Sequence, residues 1–82
     1  MKKWFVYIIE CADGSFYTGV TSDMRRRFQE HKEGRGGKYS RFNKPLKIVY
    51  SELFPTKISA LKREKQIKGW RREKKQKLIG RA

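Results

Sequence analysis

The sequence predicts an α/β (α+β) domain, a small three-stranded antiparallel sheet flanked by helices. Three observations carry that prediction. An unbroken run of aromatic and β-branched residues, Trp4 to Ile9, and a second stretch of β pattern, Phe16 to Val20, are separated by Ala12-Asp13-Gly14-Ser15, whose Asp-Gly pair tolerates the positive φ of a tight hairpin. A third β-rich run, Leu46 to Leu53, opens after Pro45. N-capping side chains at Thr21-Ser22-Asp23 and at Thr56 mark the starts of two helices.

In chain order, the first run is apolar on both sides of its alternation, so it suits a strand buried on both faces. The first helix runs from Asp23 to about Glu33, where Gly34 and the Gly36-Gly37 pair stop it. At about 100° per residue, Met24, Phe28 and His31 share one side of that helix, and Arg27 stands at its edge. Arg25 and Arg26 point elsewhere and read as solvated charges or phosphate contacts. Arg27 and His31 are i,i+4 neighbours. Two readings stay open for them: a snorkelling arginine beside a satisfied histidine, or a pair of functional groups.

Gly34 to Phe42 is a glycine-rich basic loop that includes Lys38 and Arg41, suited either to approaching phosphates or to connecting elements. The second helix extends from Thr56 through about Gly69. Ala60, Leu61 and Ile67 are expected to share its apolar stripe, with Glu64 in the middle. A carboxylate in that position needs a cation, hydrogen bonds, a metal ion or a cleft rim, because an uncompensated buried charge is costly.

At 82 residues the chain is expected to form one domain, residues 1–82. Its 22 lysines and arginines against 8 acidic residues give a formal charge of +14, which favours a polyanionic partner. Nucleic acid leads, ahead of a merely solubilising surface. A membrane partner is not expected, since the C-terminal basic segment offers only Trp70, Leu78 and Ile79 as an apolar face. Arg71 and Arg72 in that segment are further candidate nucleic-acid contacts. One cysteine, Cys11, excludes an internal disulfide and a cysteine-cluster zinc site, and fits a reducing, cytoplasmic setting. The apolar run at Trp4 to Ile9 is too short for a signal peptide or a membrane span.

Val6-Tyr7-Ile8 and Tyr17-Thr18-Gly19 resemble the two halves of the signature of the GIY-YIG nuclease superfamily. Arg27 falls where that pattern carries an arginine on the first helix, and His31 where members carry His or Tyr. Ala60 to Lys68 is similar to the segment that supplies a metal-binding glutamate, here Glu64. The likeness extends from Tyr7 to Ile79 and includes the glycine-rich loop of the small members. Two departures stand out: Val6 replaces the first glycine, and no asparagine follows Asn43.

The resemblance implies a metal-dependent endonuclease acting on DNA or structured nucleic acid, with DNA favoured over RNA. Tyr7, Tyr17, Arg27 and His31 would be catalytic, and Glu64 would hold one Mg²⁺ or Mn²⁺. Arg25, Arg26, Lys38, Arg41, Arg71 and Arg72 would contact nucleic acid. Either tyrosine could position or deprotonate water if nearby cations lower a phenol pKa that is ordinarily about 10. His31 is the alternative proton acceptor. Two other functions fit the same residues: a non-catalytic basic binding module, and a subunit of a larger nucleic-acid-processing assembly.

A shared site also dictates the hairpin register. A plain two-residue loop at Asp13-Gly14 would put Tyr17 opposite Glu10 and send Tyr7 to the other face. An odd-length loop or a bulge between Ile9 and Phe16 is therefore expected, bringing both phenols to one face together with Arg27 and Glu64.

Overall fold

The computed structural model describes residues 3–33 and 44–80. In chain order these form β1 (Trp4–Cys11), β2 (Phe16–Thr21), α1 (Met24–Lys32), β3 (Pro45–Phe54), α2 (Lys57–Lys68) and α3 (Arg72–Ile79). The sheet order is β2-β1-β3, antiparallel throughout, so the most apolar strand is central and covered by a strand on each side. The expected α+β architecture is present. No helix among the described residues is long and apolar enough to cross a membrane.

The turn between β1 and β2 sets the geometry of everything downstream. Cys11 N–H donates to Ser15 O at 2.9 Å, and Gly14 N–H donates to Cys11 O at 2.9 Å. The loop proper is thus Ala12-Asp13-Gly14, three residues, with Gly14 at φ +86° supplying the left-handed step that closes such a hairpin. Asp13 braces it by accepting from Ser15 N at 3.0 Å and Ser15 Oγ at 2.6 Å. These bonds hold the Asp13 carboxyl below its ordinary pKa. Tyr7 accordingly pairs with Gly19 and Ile9 with Tyr17, so both tyrosines lie on one face, as a single site requires.

That face is covered by α1. Tyr7, Ile9 and Cys11 are buried there against Tyr17, Met24 and Phe28. Asp23 caps α1 by accepting from Arg26 N at 3.0 Å. The opposite face carries Val6 and Ile8, which pack with Ala60 and Ile67 of α2 and with Trp4, Phe16, Val20, Trp70, Leu78 and Ile79 around them. Thr56 caps α2 through Ser59 N at 3.2 Å. Strand β3 follows β1 with register shifts at Ile8/Ile9 and Glu10/Cys11. Those bulges let a strand that begins at a proline stay paired along its length.

Two expectations need correcting. Leu61 does not share the buried stripe: it lies about 100° round the wheel from Ala60 and is 42 % exposed, while Ala60 and Ile67 are fully buried. Glu64 does not sit on a helix of the tyrosine face either, because α2 packs on the other side of the sheet, against β1 and β2.

Candidate active site

Tyr7 occupies the middle of the central strand and is 1 % exposed. Its ring lies across Gly19 of β2, so a methyl group at Gly19 would fall on Tyr7 Oη and within 2.7 Å of Tyr7 Cζ. The glycine of the Tyr-Thr-Gly segment is there because the phenol takes the space of a side chain.

At the end of that ring, Arg27 Nε donates to Tyr7 Oη at 3.3 Å, and Tyr7 Oη lies 3.1 Å from His31 Nε2. A guanidinium only donates, so the phenol oxygen accepts from Arg27; between Tyr7 Oη and His31 Nε2 the phenol donates when the imidazole proton is on Nδ1 and accepts when it is on Nε2. Burial, and then the Arg27 charge, lower the pKa of His31, while Glu30 pulls the other way. Neutral His31 is the form the site favours.

Tyr7 itself departs from expectation. Its pKa is pushed up to about 12, chiefly by burial, which outweighs the hydrogen bond from Arg27; the Tyr17 and Glu64 charges add to the rise. The cations of the site therefore do not produce a phenolate at Tyr7 near neutrality. Tyr17 is the more accessible phenol. It meets His31 edge-on at 4.6 Å between ring centroids and lies 6.3 Å from the Tyr7 ring.

Arg27 ties these groups together. Burial lowers its pKa, but its bonds to Tyr7, Glu30 and Tyr17 more than reverse this, and it stays charged. Its Nη1 donates to Glu30 Oε1 at 3.2 Å, and its side chain is 30 % exposed. The buried Nε end is thus committed to the phenol while the guanidinium reaches the surface. Sequence reasoning missed Glu30 as part of this arrangement; the signal was its i,i+3 spacing from Arg27, which makes the two helix neighbours.

Glu64 arrives from below. Its side chain is 18 % exposed, and Oε2 lies 3.5 Å from Lys68 Nζ, an i,i+4 pair that satisfies the charge. It is close enough to Tyr7 for its charge to be felt there. Among the described residues no three His, Cys, Asp or Glu side chains converge; Glu64 is the carboxylate that would hold a divalent ion here. That donor set fits Mg²⁺ or Mn²⁺, which take hard oxygen ligands and readily complete their shells with water and phosphate. The buried hydroxyl of Thr18, 3 % exposed and without a hydrogen-bond partner among the described residues, also lies on the α2 side of β2. Lys68 would have to yield Oε2 to such an ion.

The remaining candidates separate by position. Arg25 and Arg26 are exposed on α1. Arg71 is exposed at the start of α3, whereas Arg72 stacks 4.5 Å over the Phe16 ring and faces Asp13, bracing the hairpin. Lys38 and Arg41 lie outside the described residues.

Known proteins resemble this chain along most of its length. A family profile described as the GIY-YIG catalytic domain matches residues 3–77. A UPF0213 protein of Staphylococcus saprophyticus is 48 % identical over 79 residues, covering 96 % of each chain, and one of Staphylococcus aureus is 47 % identical over the same span. Among solved structures, the solution NMR structure of a UPF0213 protein from Bacillus halodurans aligns with a TM-score of 0.61 at 42 % identity, over 95 % of this chain and 83 % of that one. Another, of a protein from E. faecalis, aligns with a TM-score of 0.66 at 34 % identity, over 98 % and 85 %. The matched span takes in the paired strands, both tyrosines and Arg27, and the chain belongs to the GIY-YIG family.

Proposed function

We propose that this chain is a divalent-metal-dependent endonuclease that hydrolyses phosphodiester bonds in DNA or structured nucleic acid. The observation that carries the proposal is the double bonding of Tyr7 Oη, by Arg27 Nε on one side and His31 Nε2 on the other. It aims a fixed guanidinium outward and links a phenol to a neutral base, more than packing alone requires.

Arg27 would hold the scissile phosphate through its outward N–H groups, since a planar fork stabilises charge growing on two phosphoryl oxygens better than an ammonium could. Glu30 keeps that fork from rotating. Tyr17, the accessible phenol, would orient the attacking water. The proton lost by water would pass to Tyr7 Oη as Tyr7 gives its own proton to His31 Nε2, so no free phenolate forms at a group with a pKa of about 12. Glu64 would hold Mg²⁺ or Mn²⁺, which supplies polarisation of the phosphate and stabilises the departing 3′ oxygen. The exposed Arg25 and Arg26 would add phosphate contacts, making affinity fall with salt by about 0.9 log units per log unit for each phosphate neutralised on duplex DNA.

The lysine on Glu64 supports a second reading, a basic binding module in which the carboxylate is permanently paired. One experiment separates the two. Single-stranded, duplex, flap and branched substrates are incubated with Mg²⁺ or Mn²⁺, or with EDTA, using the parent chain and Glu64→Gln. Metal-dependent products from the parent, none from Glu64→Gln, and an unchanged melting temperature are expected. Tight binding without products across the panel would establish the binding module instead.

A further inference from the structure

A second constellation lies where α2 gives way to α3, on the sheet face opposite Tyr7. The Tyr50 hydroxyl donates to the Glu52 carboxylate. Glu52 in turn accepts from Arg63 Nε at 3.0 and 3.2 Å and from Arg63 Nη2 at 3.0 Å, while Arg63 Nη1 reaches Gln66 Oε1 at 3.2 Å. The guanidinium so fixed lies 5.1 Å over the ring of Trp70. Trp70 is also held by its backbone N–H on Ile67 O at 3.0 Å, and it packs against the Val6, Ile8, Ala60 and Ile67 cluster. The indole is thus a rigid group at the end of a hydrogen-bonded chain that starts in the sheet.

Its exposed surroundings are cationic. Lys74 Nζ sits 4.3 Å over the same ring. The indole borders two open depressions, of about 530 and 310 Å³, and Lys74 and Lys77 line both. Arg71 lines the larger one, and Glu73 is the acidic side chain on its rim. Lys74 is exposed, so water can take the place of the ring beside its ammonium at little cost. A nucleobase stacked on tryptophan gains more than an exposed lysine does from the same ring. The displaced ammonium would then be free to meet phosphate.

We infer that Trp70 is a stacking platform for an unpaired base of a nucleic-acid strand, with Arg71, Lys74 and Lys77 receiving the adjoining phosphates. The inference rests on the proposed function only for the class of partner. A paired base cannot offer its face to the indole, so the platform selects substrates with single-stranded character. It does not discriminate by sequence, because every base has a π face.

The test keeps EDTA present throughout, so that no cleavage is involved. The chain has two tryptophans, Trp4 and Trp70, and therefore two indole N–H signals in a ¹H–¹⁵N spectrum, assigned by Trp70→Phe. Titration with an oligothymidylate should move the Trp70 signal and leave Trp4 in place, while a duplex of equal length moves neither. By fluorescence anisotropy, Trp70→Leu should lose about tenfold in single-strand affinity with less than a twofold change for duplex, and Trp70→Phe should retain most of the affinity. The double substitution of Arg71 and Lys77 by Ala should lower affinity and flatten the salt slope on single strands by about 1.4, at about 0.7 per phosphate. An unmoved Trp70 signal during oligonucleotide binding, equal losses for single strand and duplex, or no binding to the oligonucleotide would overturn the inference. A responsive Trp70 in a chain that never cleaves would sink the nuclease reading alone, and cleavage with a silent Trp70 would sink this one alone.

Discussion

On the α2 side of the sheet the described residues buried most deeply, Val6, Ile8, Ala60 and Ile67, are apolar, and Thr18 adds one buried hydroxyl. On the α1 side Tyr7, Ile9, Cys11 and His31 are buried, two of them with polar ends bonded to each other. The α2 side therefore holds the fold by area and packing, and it relegates its charges to the rim, where Glu52 meets Arg63. The α1 side spends interior volume on a hydroxyl and an imidazole, whose burial is tolerable only because each satisfies the other. In a chain this small, division of labour between faces lets the site be polar without unfolding the domain. Substitutions on one face should read out as stability and on the other as chemistry.

The largest effect expected on the packing side is from Ile67→Ala. It should cost about 2–5 kcal/mol, the range for truncating a buried aliphatic side chain, with each kcal/mol lowering Tm by about 4–8 °C in a domain of this size. Thermal melts measure it, and turnover per folded molecule should not change. A stable variant with lost turnover would abolish the distinction between the faces.

On the other face, Arg27→Ala should lower metal-dependent cleavage by about 10²–10³-fold, the usual consequence of removing a donor to developing charge, with only a small change in Tm. Arg25→Ala and Arg26→Ala should instead weaken binding and leave the cleavage step near its original rate. Single-turnover kinetics at saturating protein tells them apart. Equal losses of cleavage from all three would mean that the bond to Tyr7 confers no special role.

The smallest effect is a pH dependence. The folded-state pKa of His31 lies below its unfolded value of about 6.5, mainly through burial. Its contribution to stability is therefore present above about pH 6.5 and is lost as pH falls through the lower, folded value. Melts of the parent chain should be level above neutrality and decline on acidification, and the decline should be shallower in His31→Gln. The acid limb of any cleavage profile should follow the same group. An identical acid decline in both chains would assign it to other residues.

Much of this was legible beforehand because the local signals agreed with one another. The apolar runs located β1 and β2, the caps Asp23 and Thr56 located α1 and α2, and the helical wheel separated Arg27 from Arg25 and Arg26. Helix α3 was not foreseen. Arg71 makes no side-chain cap and the segment is mostly charged, so its main signal was Gly80, left-handed at φ 95°, at the C-terminal end. The raised pKa of Tyr7 could not be read either, since burial of a hydroxyl depends on how α1 lies over the sheet. The partner of Glu64 was available as one of several cations. That Lys68 takes the role follows from its i,i+4 spacing, and that α2 lies on the opposite face is a matter of tertiary packing that no local spacing reveals.

The three-residue turn has a consequence for how this chain tolerates change. Ala12, Asp13 and Gly14 are at the surface, where insertions and deletions ordinarily do little harm. Here a gain or loss of one residue that re-registers β2 would exchange Tyr17 for Phe16 or Thr18 beside His31. The hairpin would still close and β2 would still alternate, but the phenol would point away from its partners. Changes of two residues preserve the alternation. Length variation at this turn is thus quantised, and drift by single residues would be filtered out by loss of the tyrosine pair even where the strands themselves accept it.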